Sequence, residues 1–177
     1  MTVFHCARCG TELTPDLREL PGVPDVSVHD KDRDRETGLA PSTVPRGGYA
    51  IDPEPWGAPF VAVPPGATHE PGGRALLMPP AMTGMVSAGP RNSVVVHPED
   101  VPGLRLAHSS LGVHAGCCGP LGTGGRNMAC VCGVLVGPLA ADCMGPYELH
   151  LDPLRVHAHT PAGLGNFAVP SRVAEDD

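Results

Sequence analysis

Apolar residues in this chain come in short runs, cut by proline, glycine and charge before any run reaches the length of a substantial helix. The densest β-branched stretch is 92–97, Asn92-Ser93-Val94-Val95-Val96-His97, which predicts a strand. Residues 48–52 and 59–63 predict two more short strands, with Pro53-Glu54-Pro55-Trp56-Gly57 as the turn between them and flanking prolines that favour sheet edges. Tyr147-Glu148-Leu149-His150-Leu151 alternates apolar with polar at period two, and residues 128–135 also read as strand. Pro98-Glu99-Asp100-Val101-Pro102-Gly103 suits one helical turn with proline at its first position. Ala75-Leu76-Leu77-Met78 reads equally as a strand or as a turn of helix ended by Pro79-Pro80, after turn chemistry over 64–73.

The ends and connections follow the same logic. Residues 2–13 predict a strand, a turn and a return strand through Thr11-Glu12-Leu13, a hairpin that is not stable alone. Residues 14–45 hold prolines and mixed charge, centred on Asp30-Lys31-Asp32-Arg33-Asp34-Arg35-Glu36, with little to bury; they predict a long loop whose charges are solvated. One domain is expected over 1–157, followed by a flexible tail at 158–177 that ends Glu175-Asp176-Asp177.

Composition sharpens this into a mainly β fold with long Pro/Gly-rich loops. Gly 23 and Pro 22 among 177 residues argue against long helices. With one Trp, two Tyr and three Phe, the core rests on Val, Leu, Ala and Met, and a core that modest gains from a metal staple. Trp56 reads as an anchor of this core or as the lining of a ligand pocket, the core reading being preferred. The net charge of −7, without a basic stripe, argues against nucleic acid or an anionic membrane as partner. No window approaches the roughly 18 apolar residues of a membrane span, the nearest, 134–141, being broken by Gly137 and Pro138. Seven cysteines, an odd number, and a start without a basic segment and apolar run behind it predict a cytoplasmic, reduced protein.

The chemistry lies in those cysteines. Cys6-Ala7-Arg8-Cys9-Gly10 near the start is answered by Cys130-Val131-Cys132-Gly133. Each is a close pair followed by a glycine free to adopt positive φ, the form of a metal knuckle with two thiolates at the tip of a hairpin. Cys6, Cys9, Cys130 and Cys132 together make an all-sulfur set that selects Zn²⁺, one per chain, although iron suits the same geometry. Four thiolates leave no open coordination position, so such a site is structural. Two separate ions, two local disulfides or a redox pair are the other readings of the same residues. Cys117, Cys118 and Cys143 remain, with His114 close by in sequence. They read as small buried hydrophobes, as a second metal site, as a replacement for Cys132 by Cys117 or Cys118, or as reactive thiols if Arg126 or His114 lowers a pKa. Adjacent cysteines seldom share an ion, because their side chains leave the backbone in different directions. His150, His157 and His159 are expected at the surface, the last two on one strand face, and Asp142 is expected to be structural or solvated. Gly122-Thr123-Gly124-Gly125-Arg126 lacks the Lys-Ser/Thr ending of a phosphate cradle.

Residues 127–139, with Asp142-Cys143, Tyr147-Glu148-Leu149-His150-Leu151 and Leu154-Arg155-Val156, resemble the closing segment of the Rab-interacting zinc chaperones, which also open with a Cys-x-x-Cys-Gly knuckle. The resemblance covers about a third of the chain, at its two ends. It implies the β-tent fold, also found in methionine sulfoxide reductase B, Yippee proteins and the ligand-binding domain of cereblon: two antiparallel sheets pinned by zinc between two separated cysteine pairs. It implies Cys6, Cys9, Cys130 and Cys132 as ligands and leaves Cys143 unligated. The family's second pair has two intervening residues where this chain has only Val131. Asp142-Cys143-Met144 does not reproduce the reductases' reactive cysteine, so no enzymatic activity carries over. The expectation is a zinc-binding, chaperone-like module for a protein, peptide or small-molecule ligand; the alternative is a thiol-dependent enzyme or redox protein using Cys117, Cys118 or Cys143.

Overall fold

The computed structural model describes residues 1–26, 30–63, 84–107, 116–143 and 145–160. The expectations for 64–73, 75–78, His114 and the chain beyond residue 160 lie outside these. The fold is mainly β, and the described residues contain no α-helix. Among the described residues twelve short strands run in chain order: β1 (Val3–Cys6), β2 (Arg18–Glu19), β3 (Gly48–Asp52), β4 (Phe60–Ala62), β5 (Met85–Ser87), β6 (Ser93–Val96), β7 (Arg105–Leu106), β8 (Met128–Ala129), β9 (Leu135–Gly137), β10 (Leu139–Ala140), β11 (Glu148–Leu151) and β12 (Val156–His159).

The largest sheet has the order β10-β11-β6-β3-β2. Its middle strand, β6, is the Val-rich segment, buried at all four positions because it is flanked by β11 and β3 and covered on both faces. Val94 and Val96 share a face with Tyr49, Leu149 and Leu151 and join the main core, while Val95, paired with Ala50, packs into a smaller cluster with Val44 on the opposite face. β2 pairs with β3 in parallel, the one departure from antiparallel pairing among these ladders. The turn after β6 is the expected one: Pro98–Asp100 forms a turn of 3-10 helix with proline leading, and His97 Nδ1 accepts the Glu99 amide at 3.1 Å.

Among the described residues there are three smaller sheets besides this one: β1 with β12, β4 with β5, and β7-β8-β9. The predicted N-terminal hairpin is present in reduced form. Leu13 N–H donates to Phe4 O and a single bridge joins His5 to Glu12, but the full ladder of β1 runs to β12, with Cys6 opposite Val156 and Val3 opposite His159. The tail expected from 158 therefore begins inside a strand, since Ala158 and His159 belong to that ladder. The described residues within 14–45 are mostly irregular, as expected, yet they are not without burial: Leu17 and Val44 are fully enclosed and Ala40 nearly so. The single strand expected over 128–135 is instead two, β8 and β9, with the second cysteine pair at their turn.

Candidate metal centres

Cys6 closes β1 on its inward-facing side, because the strand alternates and Phe4 and Cys6 are its two buried positions. The chain then turns sharply: Gly10 N–H donates to Cys6 O at 2.9 Å, Cys6 N–H to Thr11 O at 2.9 Å, and Gly10 takes φ +71°. The second turn is built the same way. Cys130 N–H donates to Val134 O, Gly133 N–H donates to Cys130 O, and Gly133 takes φ +81°. Both knuckle glycines thus have the positive φ that the sequence pattern implied.

The two turns bring four sulfurs together within 4.8 Å of one another. Cys6 Sγ lies 3.7 Å from Cys132 Sγ, and Cys9 Sγ lies 3.6 Å from Cys130 Sγ. Zn–S bonds of about 2.3 Å in a tetrahedron place sulfurs about 3.8 Å apart, so these separations match what one ion requires. The missing spacer residue is accommodated: Val131 stands outward at the tip, and Cys132 still reaches Cys6. Cys6 and Cys130 sit in the main core, whereas Cys9 is exposed. The Cys9 thiol is lowered to about 6, chiefly by the Thr11 hydroxyl 3.2 Å from its sulfur and by the Thr11 backbone, while burial pushes the Cys130 thiol up to about 12. A desolvated thiolate needs a compensating charge, which a bound cation supplies.

Cys117, Cys118 and Cys143 form a second group, again within 4.8 Å, with Cys117 Sγ 3.5 Å from Cys118 Sγ and 2.9 Å from Cys143 Sγ. Neither Cys117 nor Cys118 takes the place of Cys132. These three are not the small buried hydrophobes of the simplest sequence reading, since Cys117 and Cys118 are exposed and Cys143 is half-buried. Asp142, almost completely buried, organises the loop: its Oδ2 accepts the Cys118 amide at 2.9 Å and the Gly119 amide at 3.2 Å, and its Oδ1 lies 3.9 Å from Cys117 Sγ and 3.8 Å from Cys143 Sγ. A Cβ on Gly116 would stand 2.4 Å from Asp142 Oδ2, so that glycine permits the close approach. The Cys143 thiol is pushed up to about 12, first by its hydrogen bonds with Cys117 and Cys118, then by burial and the Asp142 charge. Arg126 pairs with Asp152.

The histidines divide. His157 and His159 are exposed on one face of β12, as expected, and His5 joins them, its ring stacked on His157 at 5.4 Å. His150 corrects the expectation of exposure: it is 1% exposed, with Nδ1 at 2.8 Å from Ser93 Oγ and Nε2 at 3.0 Å from Glu148 Oε1. The cause is Trp56, whose ring lies flat over His150 at 4.0 Å and whose Nε1 donates to Gly122 O at 3.0 Å, so the polar face of β11 is roofed by the turn after β3. Trp56 is accordingly an anchor of the interior. The Ser93–His150–Glu148 network has no signature in the sequence beyond the alternation of β11, because its members come from two strands that meet only in the sheet.

One open groove of about 330 Å³ lies against the first knuckle's return segment, lined by Glu12, Leu13, Thr14, Pro15, Arg46, Glu99, Asp100, Pro102 and Gly103. Arg46 crosses it, donating to Asp100 Oδ1 at 2.9 Å and Glu99 Oε2 at 2.8 Å. Among the described residues no helix is long and apolar enough to cross a membrane. No family model, curated protein or solved structure matches this chain. Fold and sites therefore define it at the level of class, a mainly β protein with two cysteine clusters at metal-ligand distance.

Proposed function

We propose that this chain is a zinc-stapled binding module, with one Zn²⁺ held by Cys6, Cys9, Cys130 and Cys132 in a structural role. The observation that carries the reading is the convergence of four sulfurs, from turns at opposite ends of the sequence, at the separations a tetrahedral ion imposes. Each pair belongs to its own small antiparallel sheet, β1-β12 or β7-β8-β9, so the ion joins two sheets. That is the arrangement implied by the resemblance to the Rab-interacting zinc chaperones, and we extend it to a chaperone-like role in the cytoplasm. The ligand, a peptide, protein or small molecule, would lie in the groove whose wall, Glu12–Pro15, continues directly from the knuckle and is held in place by the ion. With all four ligands supplied by the protein, zinc would set geometry and take no part in chemistry. A thiol enzyme built on Cys117, Cys118 or Cys143 is less well supported, because the charged group against those sulfurs is the carboxylate of Asp142, which disfavours a thiolate nucleophile.

Timed alkylation of the zinc-loaded chain, read by peptide mass spectrometry, tests the site. Cys6, Cys9, Cys130 and Cys132 are expected to be protected together and to become reactive together when a strong chelator is added. Modification of the exposed Cys9 at the rate of a free thiol in the zinc-replete protein would refute the shared ion.

A further inference from the structure

We propose that Cys117, Cys118 and Cys143 form a second, solvent-facing site for a thiophilic cation of the Zn²⁺ or Cu⁺ kind, bound by three thiolates with the fourth position supplied from solution.

Three features of the cluster support this. Its sulfurs come from two segments, the loop 116–119 and the residues after β10, and converge as closely as those of the first site. The loop overcomes the usual divergence of adjacent cysteines: Asp142 Oδ2 gathers the Cys118 and Gly119 amides, and both flanking glycines are packed where a side chain cannot go, a Cβ on Gly119 falling 2.3 Å from Ala141 O and one on Gly116 falling 2.4 Å from Asp142 Oδ2. Cys117 and Cys118 are thereby held with their sulfurs on the side of Cys143. Finally, the ligand set is soft and small. Cys117 and Cys118, 3.5 Å apart, already stand near the roughly 3.8 Å spacing around zinc, Cys143 at 2.9 Å from Cys117 has to draw back by about 0.9 Å, and thiolate sets of this kind select Zn²⁺ and Cu⁺ over hard cations.

Asp142 is a positioning residue in this arrangement, fixing the loop through Oδ2 while Oδ1 stands beside two of the sulfurs. The two sites differ in what they do with an ion. The first draws two of its four sulfurs from the core; the second exposes Cys117 and Cys118 to solvent and leaves a coordination position for an incoming ligand. A metal held there exchanges with solution or with a competing ligand without the fold opening. Transfer or sensing of a soft metal is the chemistry such a site offers, separate from the structural role of the first.

Zinc content after saturation and dialysis under reducing conditions decides the matter, comparing the full chain with its Cys117→Ser/Cys118→Ser/Cys143→Ser variant. Both retain Cys6, Cys9, Cys130 and Cys132, so the difference between them reads the second site whatever the first does. The variant is expected to hold one zinc fewer per chain, and the ion it lacks is the one a chromophoric chelator removes faster from the unaltered protein. Equal zinc content in the two folded proteins would overturn the proposal, as would a Cys117–Cys143 disulfide that persists in reductant. If the variant does not fold, Co²⁺ titration of the unaltered chain decides instead. New thiolate-to-cobalt charge-transfer absorption with the second equivalent supports the site, and saturation of that absorption at the first equivalent refutes it.

Discussion

His150 shows how a single residue sets what a strand can bury. Its two ring nitrogens meet Ser93 Oγ at 2.8 Å and Glu148 Oε1 at 3.0 Å, and Trp56 covers the ring at 4.0 Å. Buried polar groups are tolerable when partnered and expensive when a partner is removed, by about 1–3 kcal/mol for a neutral group and about 3–5 for a charged one. His150→Ala removes two hydrogen bonds, strips Glu148 of its histidine and leaves a void under the indole. It is expected to lower stability by about 3 kcal/mol or more, against about 1 kcal/mol for Ser93→Ala. Urea unfolding followed through Trp56, the single tryptophan, measures both; equal losses in the two variants would mean that the network is incidental. The contrast with the cysteines is instructive. Cys6, Cys9, Cys130 and Cys132 could be picked out from spacing because a knuckle is a local object, two sulfurs and a glycine in one turn. Which sulfur faces which, Cys6 with Cys132 and Cys9 with Cys130, is tertiary and left no local trace.

At the scale of elements, the strands readable from the sequence are those whose neighbours bury them. The Val-rich β6 and the segment Gly48–Asp52 are strands as their residues predict, but β3 lies inside the five-stranded sheet between β6 and β2, not at the edge that its flanking prolines favoured. β2, β7, β8 and β10 have two residues each, too few to carry a period, and exist because a partner strand offers a ladder. β12 is legible only in part, through the shared strand face of His157 and His159: Val-His-Ala-His has one inward apolar residue, and its partner β1 lies at the other end of the chain. Gly137 joins the two levels. It looked like an interruption of an apolar run, yet it ends β9 where that strand passes against β11, and a Cβ there would stand 1.9 Å from the His150 carbonyl oxygen. The obstacle is backbone and cannot rotate away. Gly137→Ala is therefore expected to cost about 2–3 kcal/mol by overpacking, whereas Gly22→Ala, with open space around the added methyl, stays within about 0.5 kcal/mol. Thermal melts of the two variants against the parent check this, and a Gly137→Ala protein as stable as Gly22→Ala would show that the strand shifts freely.

For the whole molecule, the first sulfur cluster decides how independent the sheets are. β1 and β12 form a sheet separate from the five-stranded one, joined to it through the Thr2–Leu17 bridge, the edge-on contact of Phe4 with Tyr49 at 5.0 Å and the shared core around Cys6 and Cys130. β8 and β9 likewise belong to their own sheet, with Cys130 and Cys132 at their turn. The main core also contributes to these junctions, taking Phe4 and Val156 from one small sheet and Val136 and Met128 from the other beside Cys6 and Cys130. An ion bound to the native arrangement and not to the unfolded chain adds RT ln(1 + [L]/Kd), about 2.7 kcal/mol at a hundredfold excess over Kd. That gain is placed at the junctions, so its loss should be felt there first. Hydrogen exchange of the chain before and after chelation is expected to show β1, β12 and the β8–β9 turn losing protection well ahead of β3, β6 and β11, because Val94, Val96, Leu149 and Leu151 retain their packing without the metal. Simultaneous loss over all strands would instead mean that the five-stranded sheet cannot stand without the staple, and unchanged exchange in β1 and β12 would mean that no ion holds them.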